Sequence, residues 1–263
     1  MKHLSRIQQH RTVARGFVFL LLLGLLGITG CSIISPPGTS PPPLDVSANT
    51  LWQTFLDTTG QKKVRAFSMS AVIHYAKQGS GHRLLVDFFG NTNRPLRLDL
   101  KASVGTVIAL WREDDLGVTV ALPEKNEVRT FPDATQAAAA LGMDLPFSLR
   151  QLAAILLGQF DEFLPSTASD ATQTKQGIRY TLPDTSPFSS ITLDFTGKAV
   201  HLTGHGASAW NAELTPWSSD IPGPAYEKIV VETSDKAKIV LRVKSFAQFQ
   251  EPMPDTGLEL PVM

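Results

Sequence analysis

Between residues 67 and 102 hydropathy repeats every second residue, and that period limits what the chain can fold into. Phe67, Met69, Ala71, Ile73 and Tyr75 alternate with Ser68, Ser70, Val72 and His74. After the turn Lys77-Gln78-Gly79-Ser80-Gly81, the series Leu84, Val86 and Phe88 alternates with Arg83 and Asp87. Side chains of an extended strand point alternately to its two faces, so each series is a strand buried on one side, and the glycine-bearing turn predicts a hairpin. Leu96, Leu98, Leu100 and Ala102, alternating with Arg97, Asp99 and Lys101, predict a third half-buried strand.

Other elements follow from caps and shorter patterns. Ser47 caps a predicted helix carrying Leu51, Trp52, Phe55 and Leu56 on one side, with Gly60 at its end. Short strands are expected at 106–112, 118–122 and 127–131. Asp133 with Gln136 opens an alanine-rich helix ending at Gly142, and Ser148 opens a second, with Leu149, Leu152, Ile155 and Leu156 at helical spacing and Gly158 as its stop. A polar stretch around 166–177 reads as irregular. Extended segments resume at 177–182, 190–195, 200–203, 209–214, 228–233 and 238–246. Helix, strands, two helices, strands: this order predicts an α+β fold, mainly antiparallel β, with one curved sheet and helices against its concave side.

The N-terminal end carries a different signal. Lys2, Arg6, Arg11 and Arg15, with no acid among them, precede the apolar run Phe17–Leu26. That run is too short to span a bilayer and matches a secretory signal, which assigns residues 1–30 to a removable segment. Ile28-Thr29-Gly30-Cys31 resembles the lipobox of bacterial lipoproteins, in which the cysteine is acylated and becomes the mature N-terminus. A plain secreted protein with a cysteine beside its cleavage site is the alternative. Ser32 follows, where the lipoprotein pattern uses aspartate to retain proteins at the inner membrane, so an outer-membrane anchor facing the periplasm is expected. Residues 31–46, with Ser35-Pro36-Pro37 and Pro41-Pro42-Pro43, then form an extended tether.

The whole chain carries 24 basic and 24 acidic residues; loss of the first 30 residues leaves 20 against 24, a net charge of −4. That balance argues against nucleic-acid binding. Cys31 is the only cysteine, which excludes disulfides and cysteine-held metal. His201 and His205 are spaced as in helical zinc sites, but "AVHLTGHGAS" reads as strand and turn. No Gly-x-Ser-x-Gly elbow is present, and Asp194 beside His201 is an arbitrary pair. The acidic run 112–117 reads as a solvated turn. No catalytic residue, metal or cofactor is expected.

Apolar surface is what the sequence offers instead. Phe67, Met69, Ile73, Leu84, Val86, Phe88, Leu98 and Leu100 share one face in the register read here. This stripe is either simple core or the lining of a cavity for a lipid-like ligand, and periodicity alone leaves both open.

The segment "GMDLPFSLRQLAAILLG", Gly142–Gly158, resembles the LolB family of outer-membrane lipoprotein receptors at Gly142, Met143, Pro146, Ser148, Leu149, Arg150, Gln151 and Gly158. The helix with Trp52, "AFSMSAVIHY", "RLLVDFFG", "RPLRLDLKASVG" and a closing "WNAEL…PGPAYEKIVVET…AKIVLRVKSFA" fall in the family's order, over residues 48–246. The resemblance implies a half-barrel domain at 47–248 whose curved sheet surrounds an apolar cavity under a helical lid. It implies a monomer that accepts lipoprotein acyl chains from a LolA-like periplasmic carrier and passes them to the outer membrane without covalent chemistry. Leu149, Leu152 and Ile155 would then complete the cavity begun by the stripe above. Val104, in "KASVGT", corresponds to an exposed leucine that helps membrane insertion in the family, although it is smaller and lacks the family's Asn-Pro lead. The tail 249–263 and the inserted "DDLGVTVALPEKNEV" depart from the family pattern. A LolB-fold lipoprotein with a structural role or another lipophilic ligand is the alternative.

Overall fold

The computed structural model describes residues 47–261, apart from 62, 144, 206–208, 219 and 221. Cys31, the signal segment and the tether lie outside the described residues.

Helix α1 (Ala48–Gln61) opens the described chain, with Ser47 Oγ accepting the Thr50 N–H at 3.2 Å. Six strands follow as a meander: β1 (Ala66–Lys77), β2 (Ser80–Asn91), β3 (Leu96–Ala102), β4 (Val107–Asp114), β5 (Gly117–Leu122) and β6 (Glu127–Phe131). Helices α2 (Ala134–Ala140) and α3 (Leu149–Leu157) come next. A second meander closes the chain: β7 (Asp170–Gln173), β8 (Ile178–Thr181), β9 (Phe188–Leu193), β10 (Ala199–Gly204), β11 (Trp210–Pro216), β12 (Tyr226–Thr233) and β13 (Lys238–Phe249).

Both meanders belong to one 13-stranded sheet in which β1 pairs with β13 at the centre. The first walks outward from β1 to the edge strand β6, and the second walks inward from the other edge, β7, to β13. The segment carrying α2 and α3 joins the two edges. Every strand pairing is antiparallel, as short turns between consecutive strands require.

The predicted hairpin forms as read: Met69 faces Phe88, Ile73 faces Leu84, and Val86 faces Leu100 across the next pairing. The alternating stripe lies on one face, with its side chains in a core shared with all three helices. On the other face charges pair in rows, among them Lys101 with Asp87 at 2.5 Å and Arg97 with Asp99 at 2.8 Å.

The sequence reading missed β7. All four of its residues are exposed, and an edge strand with two solvated faces has no hydrophobic period to detect. The chain after β13, read as a departure from the family pattern, lies against the sheet. Asn91 donates to the Met253 carbonyl at 3.0 Å and accepts the Met253 N–H at 2.7 Å, Arg97 donates to the Glu259 carbonyl at 2.6 Å, and Leu258 is fully buried.

Candidate functional site

Helix α3 lies against the sheet and is fixed at both ends. Ser148 and Gln151 form a reciprocal capping box, and Gly158 takes the left-handed conformation (φ 69°) at the C-terminus. A Cβ there would come within 2.8 Å of Ala225 Cβ, and Ala225 N–H donates to the Leu156 carbonyl at 2.8 Å, so glycine permits this close approach. At the other end, buried Glu113 of β4 accepts the Leu149 N–H at 2.6 Å and the Arg94 guanidinium at 3.2 Å. Burial pushes the Glu113 carboxyl above the usual glutamate value, against the opposing pull of the Leu149 N–H and Arg94.

Between this helix and the sheet lies an apolar cavity of about 40 Å³. Strands β1, β3 and β4 contribute Ile73, Leu98, Leu100 and Trp111; α3 contributes Leu152. Met143, Leu145 and Phe147, from the α2–α3 connection, close it from above. Phe147 is locked edge-on against Trp210, ring centres 4.6 Å apart. The opposite wall comes from the second meander through Ile229, Val231, Ile239 and Leu241. Tyr75 and Met143 also line an open groove of about 480 Å³ that carries Lys77, His82 and Leu84. That groove is the mouth of the half-barrel.

Four expected cavity residues, Ile73, Leu98, Leu100 and Leu152, meet at the cavity. Leu84 stands half-buried at the mouth. Phe67, Met69, Val86, Phe88, Leu149 and Ile155 belong to the surrounding core and do not touch the cavity. Val104 is 86% exposed on the β3–β4 turn. The sequence reading did not name the α2–α3 connection or the β12–β13 wall. In "KIVVET" three apolar residues run together and Val230 is buried on the opposite face, which erases the alternation.

The polar candidates are not brought together. Asp194 Oδ1 accepts N–H groups of Thr196 and Lys198 within its own turn. His205 Nε2 lies 2.9 Å from the Phe188 carbonyl, while His201 pairs across the strand with Glu213. Burial lowers the His201 pKa, with Arg179 adding to the effect and Glu213 opposing it. Among the described residues no three His, Cys, Asp or Glu side chains gather as metal ligands, and no helix is long and apolar enough to cross a membrane.

An open antiparallel half-barrel, carrying an apolar cavity under a helical lid, defines the class. Its fold is LolA-like. Neither a family model nor a curated protein matches the sequence. A LolA superfamily protein from Nitrosomonas europaea is similar with a TM-score of 0.55 at 8% identity, over 79% of this chain and 97% of that one. A putative outer membrane lipoprotein-sorting protein domain from Vibrio parahaemolyticus gives 0.52 at 6% identity, over 78% and 95%. A DUF1329 family protein from Desulfovibrio piger gives 0.54 at 12% identity, over 81% and 97%. At these identities the likeness is one of fold.

Proposed function

We propose that this chain is a lipoprotein, anchored in the outer membrane through Cys31, that binds lipoprotein acyl chains delivered by a LolA-like carrier and helps insert them in the outer membrane. The carrying observation is the cavity under α3: a pocket walled mainly by apolar side chains solvates a hydrocarbon chain. The lipoprotein-sorting designation of the Vibrio domain, which shares the fold, supports the same reading.

Transfer runs down a gradient of apolar burial. Each methylene moved out of water contributes about 0.8 kcal/mol, so a chain passes from carrier to cavity and then to bilayer if each site covers it more fully. At about 40 Å³ the cavity is far below the roughly 300–1,000 Å³ of ligand pockets. Entry of a chain therefore displaces side chains. Met143 and Leu145 are the ones to move, both lining the cavity while only half-buried, and Met143 also lining the mouth. Methionine, unbranched and soft, adapts to a new occupant at low cost. Val104 then presents an apolar tip to the membrane.

The small volume also supports a second reading, a structural or assembly lipoprotein of the same fold whose cavity is filled by its own side chains. The two part in one assay: the domain without its anchor is mixed with a LolA-like carrier loaded with lipoprotein. The acceptor reading requires transfer to the domain. A folded domain that takes none leaves the structural reading.

A further inference from the structure

The mouth lies beside the β1–β2 turn, whereas a larger groove lies where β1 begins. The 12 residues of β1 separate the two by roughly 36 Å, at about 3.3 Å per residue. This groove, of about 550 Å³, is lined by four basic side chains from three segments: Lys63 and Arg65 before β1, Arg94 in the β2–β3 turn, and Arg150 on the first turn of α3. Asp161 and Glu162 are the acids that line it.

Two of the cations are held in place. Arg94 donates to Glu113 and Asp115, both at 3.2 Å; Arg150 pairs with Glu162 and lies over the Phe163 ring, 5.9 Å from its centre. Their Nε groups are nevertheless buried with no hydrogen-bond partner among the described residues. Lys63 and Arg65 are exposed and make no ion pair among those residues. Next to Asp115, which Arg94 grips, Leu116 stands 92% exposed at the tip of the β4–β5 turn. With Arg94 and Arg150 already ion-paired, Lys63 and Arg65 carry the positive charge of the groove left unpaired among the described residues, which favours an anion, and a guanidinium fork matches phosphate oxygens. An apolar tip beside them suits a lipid surface better than an acidic peptide in water.

We propose that this groove binds the phosphodiester head of an anionic phospholipid and docks this end of the half-barrel on the membrane in a resting orientation that leaves the mouth free for the carrier; delivery through Val104, at the mouth end of the sheet, requires the tethered domain to turn over. Binding here does not require the acyl-acceptor reading, since it uses none of the cavity residues.

The test is hydrogen–deuterium exchange on the full chain in uncharged maltoside micelles, plain or doped with phosphatidylglycerol or phosphatidylcholine, and with inorganic phosphate added separately. Phosphatidylglycerol should slow exchange about ten-fold at residues 63–65, 91–94 and 150–154, where phosphatidylcholine does not. The double variant Lys63→Glu, Arg65→Glu, which alters exposed side chains outside the core, should lose that protection. Equal protection by phosphatidylcholine, protection that survives the charge reversal, or no protection would each overturn the proposal. So would inorganic phosphate protecting as well as the lipid, since the groove would then bind a free ion. Exchange at 141–147 reports separately on the acyl cavity, so one reading can fail without the other.

Discussion

The carboxylate of Glu113 accepts the backbone N–H of Leu149 at 2.6 Å, so a strand holds the first turn of the lid helix. A helix leaves its first N–H groups without partners inside the helix, and here a buried side chain from β4 satisfies one of them. Glu113→Ala leaves that N–H without its partner and Arg94 with only the exposed Asp115, and a loss of roughly 3 kcal/mol in urea unfolding is expected. A loss under about 0.5 kcal/mol would show that α3 is held by other contacts.

The same carboxyl sets a pH dependence. Burial, the largest influence, raises its native pKa above the usual 4.5, so between these two values the folded chain holds a proton that the unfolded chain has released. This residue's contribution therefore becomes more favourable as pH falls through the native value, and levels off below 4.5. Glu113→Gln removes the titration. The stability difference between the original protein and this variant should vary with pH only in that acidic window, measured by urea midpoints. A flat difference would contradict the assignment.

Cavity and core should respond differently to substitution. Leu152→Ala removes a wall of the cavity and should cost about 2–5 kcal/mol in stability, while acyl-probe binding is kept or strengthened. Leu152→Phe fills the space and should block uptake in a folded protein. Val86→Ala, in the core away from the cavity, should lower stability without changing probe affinity. Fluorescent fatty-acyl titrations beside thermal unfolding check all three.

The α3 boundaries were legible because capping is local: Ser148, Gln151 and Gly158 act within one turn of the chain. Strand faces were legible for the same reason. Position along a face was not. Met69 and Ile73 sit on the same face, yet only Ile73 reaches the cavity, because that depends on where the α2–α3 connection crosses the sheet. The wall from Ile229 to Leu241 depends on β13 pairing with β1, a contact between opposite ends of the domain that no local pattern encodes.

The C-terminal segment should behave as part of the domain. Ending the chain at Gln250 removes Leu258, which is fully buried, and both hydrogen bonds between Met253 and Asn91. A stability loss of about 2–4 kcal/mol is expected by differential scanning calorimetry. An unchanged melting temperature would show the segment to be a passive tail.

Val104, being exposed, contributes little to folding, and Val104→Asp should stay within about 0.5 kcal/mol of the original stability. If the turn inserts cargo into membranes, this change should leave uptake from the carrier intact while slowing delivery to vesicles. Equal delivery rates would remove Val104 from the mechanism.

The central claim is that an acyl chain lies under α3. A palmitoyl probe with a photoreactive group near its chain end, activated on the folded protein and mapped by peptide mass spectrometry, tests it most directly. The account predicts crosslinks on Ile73, Leu152, Met143 or Ile239, competed away by unlabelled lipoprotein and absent from Leu152→Phe. Crosslinks confined to the outer face of the sheet, or unaffected by Leu152→Phe, would contradict it.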